Sequence, residues 1–174
     1  VINDLISRGV SKEQLLFINF DDERLQFTND EYDLIIQAYQ EIYPNRNLSD
    51  IYVFFDEIQM NDGWEKFVRR IYDQHTPHIF ITGSNSKMLS SEIATSLRGR
   101  TIQYEIFPLS FLEFCTFKKL DINAYKTTNR PKLILAFSDF LQYGGFPEVV
   151  TINHLYFEKI VQEYYFVMLY KDLV

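Results

Sequence analysis

The sequence has 174 residues, of which 47% are hydrophobic and 17% aromatic, enough for one domain, or one domain plus a small appendage. Its net charge of -7 argues against broad electrostatic binding of nucleic acid. The single cysteine, Cys115, excludes an internal disulfide framework, and its apolar surroundings favour a core residue over a nucleophile. No segment approaches the roughly 20 apolar residues that cross a bilayer, and no signal peptide opens the chain. We therefore expect a cytoplasmic protein without a membrane span.

Strand-like and helix-like segments alternate from the start of the sequence. Residues 15–20 form a short apolar run that predicts a first strand. The helical pattern that follows places five apolar side chains on one predicted face: Leu34, Ile35, Ala38, Tyr39 and Ile42. Residues 51–55 are apolar throughout, which is typical of a strand covered on both faces.

The alternation continues beyond residue 60. Asp62 and Glu65 have the spacing of a capping box, ahead of a helix with one apolar stripe: Trp64, Phe67, Val68 and Ile71. Residues 78–82 predict a third strand, and residues 101–106 predict a fourth. Strands that alternate with helices in this way predict an α/β fold with a parallel sheet.

From about residue 119 the pattern changes to helices joined by the segments TTNRP and YGGFPE. We expect a small helical subdomain over residues 119–174, with a tight turn at the glycine pair of the second segment. The last apolar pattern runs almost to Val174 without a stop signal. The chain is therefore expected to be cut inside or just after a helix.

Two adjacent acids, Asp56 and Glu57, follow the apolar run at 51–55. In an open parallel sheet, ligands bind beyond the carboxyl ends of the strands. Ser84 and Asn85 follow the next predicted strand. If the two strands are neighbours, an acidic pair and a hydroxyl–amide pair line one crevice.

This set of residue types fits nucleoside triphosphate chemistry. A carboxylate at a strand end holds the metal ion that neutralises the phosphates, and a second carboxylate orients or deprotonates the attacking water. A nearby Ser or Asn can hold that water or sense the terminal phosphate. An arginine stabilises the transition state, and the segment SLRGR offers Arg98 and Arg100.

Three longer blocks occur in a fixed order: YVFFDEIQMNDGWEKFVRRIYD, FITGSNSKMLSSEIATSLRGRTIQYEIFPLSFLEF and YGGFPEVV. Together they resemble the prokaryotic AAA-type ATPases that carry a C-terminal domain of unknown function. The resemblance runs from about residue 8 to the end of the sequence. It implies an ATPase core over residues 1–118, a lid-like helical segment over 119–174, and ATP and Mg²⁺ as ligands. Whether a homo-oligomer or a protein partner is also involved stays open.

The resemblance also implies residue roles. By it, YVFFDE is the Walker B segment, in which Asp56 holds magnesium and Glu57 is the catalytic base. TGSNS resembles the sensor-1 region, with Ser84 or Asn85 as the polar sensor. SLRGR would supply Arg98 or Arg100 as an arginine finger.

One element that the family requires is missing from the sequence. The phosphate-binding loop G-x-x-x-x-G-K-[ST] cradles the phosphates with its backbone N–H groups and its lysine. None of the six glycines leads into Gly-Lys-Ser or Gly-Lys-Thr. By the family's order this loop and the first strand lie upstream of residue 15, so we expect a P-loop NTPase-like core that lacks its first strand.

The missing strand has an expected structural consequence. By the family's topology it lies between the strands at 78–82 and 101–106. Its absence leaves backbone groups that another segment, another chain or a rearrangement must satisfy.

Simpler interpretations compete with these roles. Asp56 and Glu57 could cap a following helix, because carboxylates favour helix N-termini. Ser84 and Asn85 are also ordinary turn residues.

Two further groups of charged residues could simply be solvated surface residues. Arg98 and Arg100 flank a glycine in a predicted loop, where solvated arginines are common. Asp21, Asp22 and Glu23 are a weaker candidate metal site, and a solvated acidic strand end is the favoured interpretation.

Three function classes remain at this point. The leading one is an ATP hydrolase that requires magnesium. The second is a nucleotide-gated interaction module with little or no hydrolysis, and an intact Asp-Glu pair favours the first over it. A metal-dependent nuclease is weaker, since the sequence places no further carboxylate and lysine beside Asp56.

Overall fold

The computed structural model describes residues 1–25, 27–28, 31–83, 97, 99–123, 125–151 and 157–172. The chain divides into two compact units, Val1–Ile102 and Gln103–Val174. No helix within the described ranges combines the length and the apolar character that crossing a bilayer requires.

The first unit contains a parallel sheet of three described strands: β1 (Leu15–Asn19), β2 (Tyr52–Asp56) and β3 (Ile79–Ile81). Their order is β1-β2-β3, so β2 is paired on both sides. The register sets Asn19 opposite Asp56 and Phe55 opposite Ile81. The predicted α/β fold with a parallel sheet is confirmed.

Helices connect these strands, as parallel pairing requires. The helices described in this unit are α1 (Ile2–Ser7), α2 (Asp33–Ile42) and α3 (Trp64–Gln74). Short 3-10 turns cover Lys12–Gln14, Leu48–Asp50 and Ile58–Met60. Because α2 joins β1 to β2 and α3 joins β2 to β3, the three strands run in the same direction.

The core lies between one face of the sheet and these connections. Val53 and Phe55 are buried on that face. The Phe55 ring lies 5.5 Å from Phe67 of α3, and Phe67 stacks at 4.6 Å on Tyr32. Aromatic rings therefore supply much of the apolar area that holds the strands against the helices.

The other face of the sheet carries a row of phenylalanines. Phe17, Phe54 and Phe80 are in register across the three strands, and Phe54 and Phe80 stack 4.8 Å apart. Because side chains alternate along a strand, Asp56 lies on this same face, two residues beyond Phe54. The row of aromatic side chains therefore lies two residues before the carboxyl edge of the sheet, on the face that also carries Asp56.

The predicted helix α2 is confirmed, but its predicted buried face is only partly right. Leu34 is 52% exposed and Ile42 is 67% exposed. Ile35 and Tyr39 of the predicted face are buried, and Ile36 and the preceding Tyr32 are buried beside them. Apolar residues flank Ile35 and Tyr39 on both sides of the helix, and packing buries the flank with Tyr32 and Ile36 and leaves Leu34 and Ile42 exposed.

The predicted stripe of α3 is confirmed, because Trp64, Phe67, Val68 and Ile71 are all buried. The predicted capping box before it was wrong. Gly63 occupies the N-cap in a left-handed conformation (φ 76), and no side chain caps the helix. The helix therefore begins one residue too late for Asp62 to cap it.

The predicted fourth strand was also wrong. Residues 101–106 form no strand, and Ile102, Tyr104 and Ile106 are each at least 80% exposed. A strand is stable only when a neighbour satisfies its backbone groups. Within the described residues, β3 is the last strand of the sheet, and none pairs with 101–106.

The second unit is helical. Its helices are α4 (Phe111–Phe117), α5 (Arg130–Tyr143), α6 (Pro147–Thr151) and α7 (Phe157–Asp172). Phe114, Cys115 and Ala136 form its small core. The interpretation of Cys115 as a core residue is confirmed, and burial raises the pKa of its thiol. The assignment of 1–118 and 119–174 to an ATPase core and a lid-like segment stays a prediction.

The glycine pair of YGGFPE lies between α5 and α6, as expected for a tight turn. Gly144 has a positive φ of 78. At Gly145 a β-carbon would lie 2.2 Å from the backbone oxygen of Leu109, whose N–H donates to the carbonyl of Gly145 at 2.7 Å. The second position therefore requires glycine for close backbone approach.

Phe67→Ala is expected to destabilise the first unit by about 3 to 5 kcal/mol, because it leaves a cavity beside Tyr32 and Phe55. Leu34→Ala is the matched control on an exposed helix position and should change stability by less than about 0.5 kcal/mol. Urea unfolding followed by Trp64 fluorescence measures both. Equal effects of the two substitutions would contradict this packing.

Candidate functional site

The carboxyl edge of the sheet joins the end of β2 to the residue that follows β3. The Thr82 hydroxyl donates a hydrogen bond to Oδ1 of Asp56. The Thr82 N–H donates to the carbonyl oxygen of Phe55 at 2.9 Å, which continues the ladder one residue past β3. Asp56 and Thr82 therefore lie side by side at this edge.

Glu57 ends β2 in an unusual backbone conformation. Its φ of 52 and ψ of 40 lie in the left-handed region, which costs a residue other than glycine about 1 to 2 kcal/mol. The turn leads directly into the 3-10 turn at Ile58–Met60. Backbone strain of this kind clusters at functional sites.

The two acids are held by different partners. Asp56 accepts from Thr82, whereas Oε2 of Glu57 accepts from the Gln59 side-chain amide at 2.5 Å. No side chain caps the 3-10 turn that follows Glu57. The alternative in which these acids serve as helix caps therefore finds no support, and the pair offers two separately oriented carboxylates.

An acidic cavity of about 530 Å³ opens near the same edge, and its lining includes Asp21, Asp22, Glu23 and Asp62 but neither Asp56 nor Glu57. Asp22 pairs with Arg24, with a shortest distance of 2.5 Å, and hydrogen bonds from Arg24 lower the pKa of Asp22 to about 2. Within the described residues no cluster of three His, Cys, Asp or Glu side chains is arranged to hold a metal ion. The ion pair with Arg24 is consistent with a solvated acidic strand end at residues 21–23.

The carboxylate of Asp56, held by the hydroxyl of Thr82, suits magnesium. Mg²⁺ keeps several of its waters and takes only one or two protein carboxylates together with substrate phosphates. It therefore needs no three-carboxylate cluster. A single carboxylate at a strand end, with a hydroxyl beside it, fits this requirement.

Arg100 lies at a different place in the first unit. Its guanidinium pairs with Oδ1 of Asp73 and lies 5.3 Å from the centre of the Tyr72 ring. Asp73 is in the last turn of α3, and α3 leads back towards the start of β3. An 11-residue helix spans roughly 16 Å, so Arg100 would have to leave Asp73 to approach Asp56 of the same chain.

Three of the predicted site residues, Ser84, Asn85 and Arg98, lie outside the described residues. Their assigned roles stay predictions, as does the role of Arg100.

Sequence reasoning missed Thr82 and Gln59. Thr82 could have been predicted, because Phe55 pairs with Ile81 and the next residues, Asp56 and Thr82, are therefore adjacent. No sequence pattern marked Gln59 as a residue of the site. Its amide reaches Glu57 only because the left-handed turn folds the chain back within two residues.

A family profile described as AAA domain matches residues 1–115, the part of the chain that contains the sheet and the acidic pair. The chain belongs to the AAA domain family. The resemblance to AAA-type P-loop ATPases is thereby confirmed.

Relatives of this AAA domain occur in archaea and bacteria. An uncharacterized protein of Methanocaldococcus jannaschii is 43% identical over 166 residues, which cover 94% of this chain and 36% of the relative. An uncharacterized protein of Haemophilus influenzae is 36% identical over 158 residues, covering 90% of this chain and 37% of the relative. The chain thus spans little more than a third of the length of these curated relatives. No solved structure matches it significantly.

Glu57→Gly is expected to make the chain about 1 kcal/mol more stable than Glu57→Ala, because glycine adopts the left-handed conformation without strain. Both substitutions remove the carboxylate, so their difference isolates the backbone contribution. Urea unfolding of the two variants measures it. Equal stability would show that the turn at Glu57 is not strained.

Proposed function

We propose that this chain is part of a magnesium-dependent ATPase of the AAA type, in which Asp56 and Glu57 are the Walker B acids. The observation that carries the proposal is the placement of the two carboxylates at the carboxyl edge of a parallel sheet. Each is oriented by its own side-chain hydrogen bond. Family membership supports nucleotide binding, and the chemistry of the acids supports hydrolysis.

Asp56 is assigned to the metal. It ends β2, the strand paired on both sides, so its backbone is fixed by neighbours on each flank. A bound Mg²⁺ would neutralise charge on the phosphates of ATP. Asp56 would hold that ion directly or through one of its waters.

Glu57 is assigned to the attacking water. The left-handed turn separates its carboxylate from that of Asp56, which leaves Glu57 to orient the water and accept its proton. Gln59 donates to one oxygen of Glu57 and thereby restricts the rotation of the carboxylate. A base that is already oriented loses less entropy when the reaction begins.

The remaining roles belong to the same proposal. Ser84 or Asn85 would sense the terminal phosphate, since both follow Thr82 within three residues. Arg98 or Arg100 would stabilise charge in the transition state. For Arg100, the pairing with Asp73 favours action on another chain over action on its own Asp56.

The 174 residues contain no G-x-x-x-x-G-K-[ST] motif, so the proposal assigns ATP hydrolysis to a longer protein. Such a loop supplies most contacts to the phosphates. We propose that the chain alone is inactive and that its location in the cell is the cytoplasm. The alternative is a nucleotide-gated interaction module with little or no hydrolysis, acting on a protein partner or on further copies of itself.

Glu57→Gln in the full-length protein is expected to preserve ATP binding and slow hydrolysis by about 10²-fold or more, the effect of losing a general base. Glutamine keeps the size of the side chain but does not accept the proton. Turnover and ATP affinity are measured in parallel. Hydrolysis by the variant at the parental rate would exclude Glu57 as the base. If the parent protein itself does not hydrolyse ATP, the nucleotide-gated interaction module is favoured.

Asp56→Ala in the full-length protein is expected to remove the magnesium-dependent part of ATP binding and leave the magnesium-independent part, because it deletes a metal contact. ATP affinity is measured for parent and variant with and without Mg²⁺. Asp21→Ala, at the neighbouring acidic cavity, is the control and should retain the full magnesium effect. If Asp21→Ala also loses the magnesium effect, Asp56 is not the specific metal ligand.

The 174-residue chain by itself is expected to bind ATP only weakly and to show no measurable hydrolysis, because phosphate contacts from a P-loop are missing. Isothermal titration with and without Mg²⁺ measures the affinity. Micromolar binding by this chain would contradict the proposal and show that its own residues suffice.

A further inference from the structure

Thr82 occupies an unusual position at the carboxyl edge of the sheet. Its side chain is exposed, so it adds little to the apolar core. Its backbone is nevertheless fixed on both sides. The N–H donates to Phe55 at 2.9 Å, and the carbonyl accepts from the N–H of Ile58 at 3.4 Å. These two bonds attach Thr82 to the chain immediately before and after the acidic pair.

The Thr82 hydroxyl contacts both acidic residues. It donates to Oδ1 of Asp56, and its oxygen lies 3.4 Å from the backbone N–H of Glu57. Threonine has few preferred side-chain rotamers because it is branched at the β-carbon. The hydroxyl is therefore presented in one direction by a short, stiff side chain on a fixed backbone.

This hydrogen bond restricts the rotation of the Asp56 carboxylate, which matters for metal binding. The terminal torsion of an aspartate is broad, so the backbone of β2 alone does not fix the orientation of the carboxylate of Asp56. A hydrogen bond to one oxygen does fix it. Carboxylates that bind metals are commonly held by such outer contacts, whose loss typically costs about 10- to 100-fold in metal affinity.

We propose that Thr82 is a positioning residue for magnesium: its hydroxyl fixes the carboxylate of Asp56 in the orientation that receives the ion. This inference rests on the proposed function, since it assumes that Asp56 holds the metal. It goes further by assigning a role to a residue outside the acidic pair. Thr82 touches neither nucleotide nor water in this account and acts only through Asp56.

The test measures Mn²⁺ binding, as a stand-in for Mg²⁺, to the full-length protein in the presence of ADP by electron paramagnetic resonance. Thr82→Val keeps the shape of the side chain and removes the hydroxyl. It is expected to weaken Mn²⁺ binding about tenfold or more, and Thr82→Ser is expected to restore it. Thr116→Val is the matched control, because Thr116 is exposed and its hydroxyl donates only to a helix carbonyl.

Hydrolysis gives a second readout. The Mg²⁺ concentration for half-maximal rate should rise about tenfold or more in Thr82→Val, while the rate at saturating Mg²⁺ stays within about threefold of the parent. Thr82→Ala should give the same result if Thr82→Val folds poorly. Unchanged metal affinity in both variants would overturn the inference, as would failure of Thr82→Ser to restore it.

The metal site at Asp56 and the positioning role of Thr82 are tested separately by these variants. If Asp56→Ala leaves Mn²⁺ affinity unchanged, the proposed metal site itself is wrong. If Asp56→Ala weakens binding and the Thr82 variants do not, only the positioning role is wrong.

Discussion

The pairing of β2 with a parallel strand on each side is the constraint on which the first unit depends. It fixes the backbone of Asp56 from both flanks and brings Thr82, from the end of the next strand, against its carboxylate. It also requires helical crossovers, whose aromatic side chains then cover one face of the sheet. The acidic pair, the turn at Glu57 and the core below them therefore all follow from one strand arrangement.

Much of this unit was predictable from local patterns. The three apolar runs are short and unbroken, so they identify parallel strands well, and the stripe of α3 repeats with a clear helical period. The acids were identified because polar residues directly after a buried run mark the carboxyl edge. The full buried face of α2 was not predictable in the same way, because apolar residues flank Ile35 and Tyr39 on both sides and only packing decides which flank is buried.

Most of the errors and omissions depend on structure that the local sequence pattern does not encode. Residues 101–106 alternate as a strand does, yet a strand requires a partner to satisfy its backbone, and no described strand provides one. Thr82 matters through a bond to Asp56, 26 residues earlier. Gln59 is close to Glu57 in sequence, but its contact depends on a left-handed turn that few residues other than glycine adopt.

The most direct test of the central claim is a structure of the full-length protein with Mg²⁺ and an ATP analogue that is not hydrolysed. We expect the metal to be bound by the carboxylate of Asp56, directly or through one water. We also expect the terminal phosphate at the same edge of the sheet, with Glu57 facing the position of the attacking water. A nucleotide bound away from the carboxyl edge of β2, or a metal held by other residues while Asp56 and Glu57 face solvent, would contradict this claim.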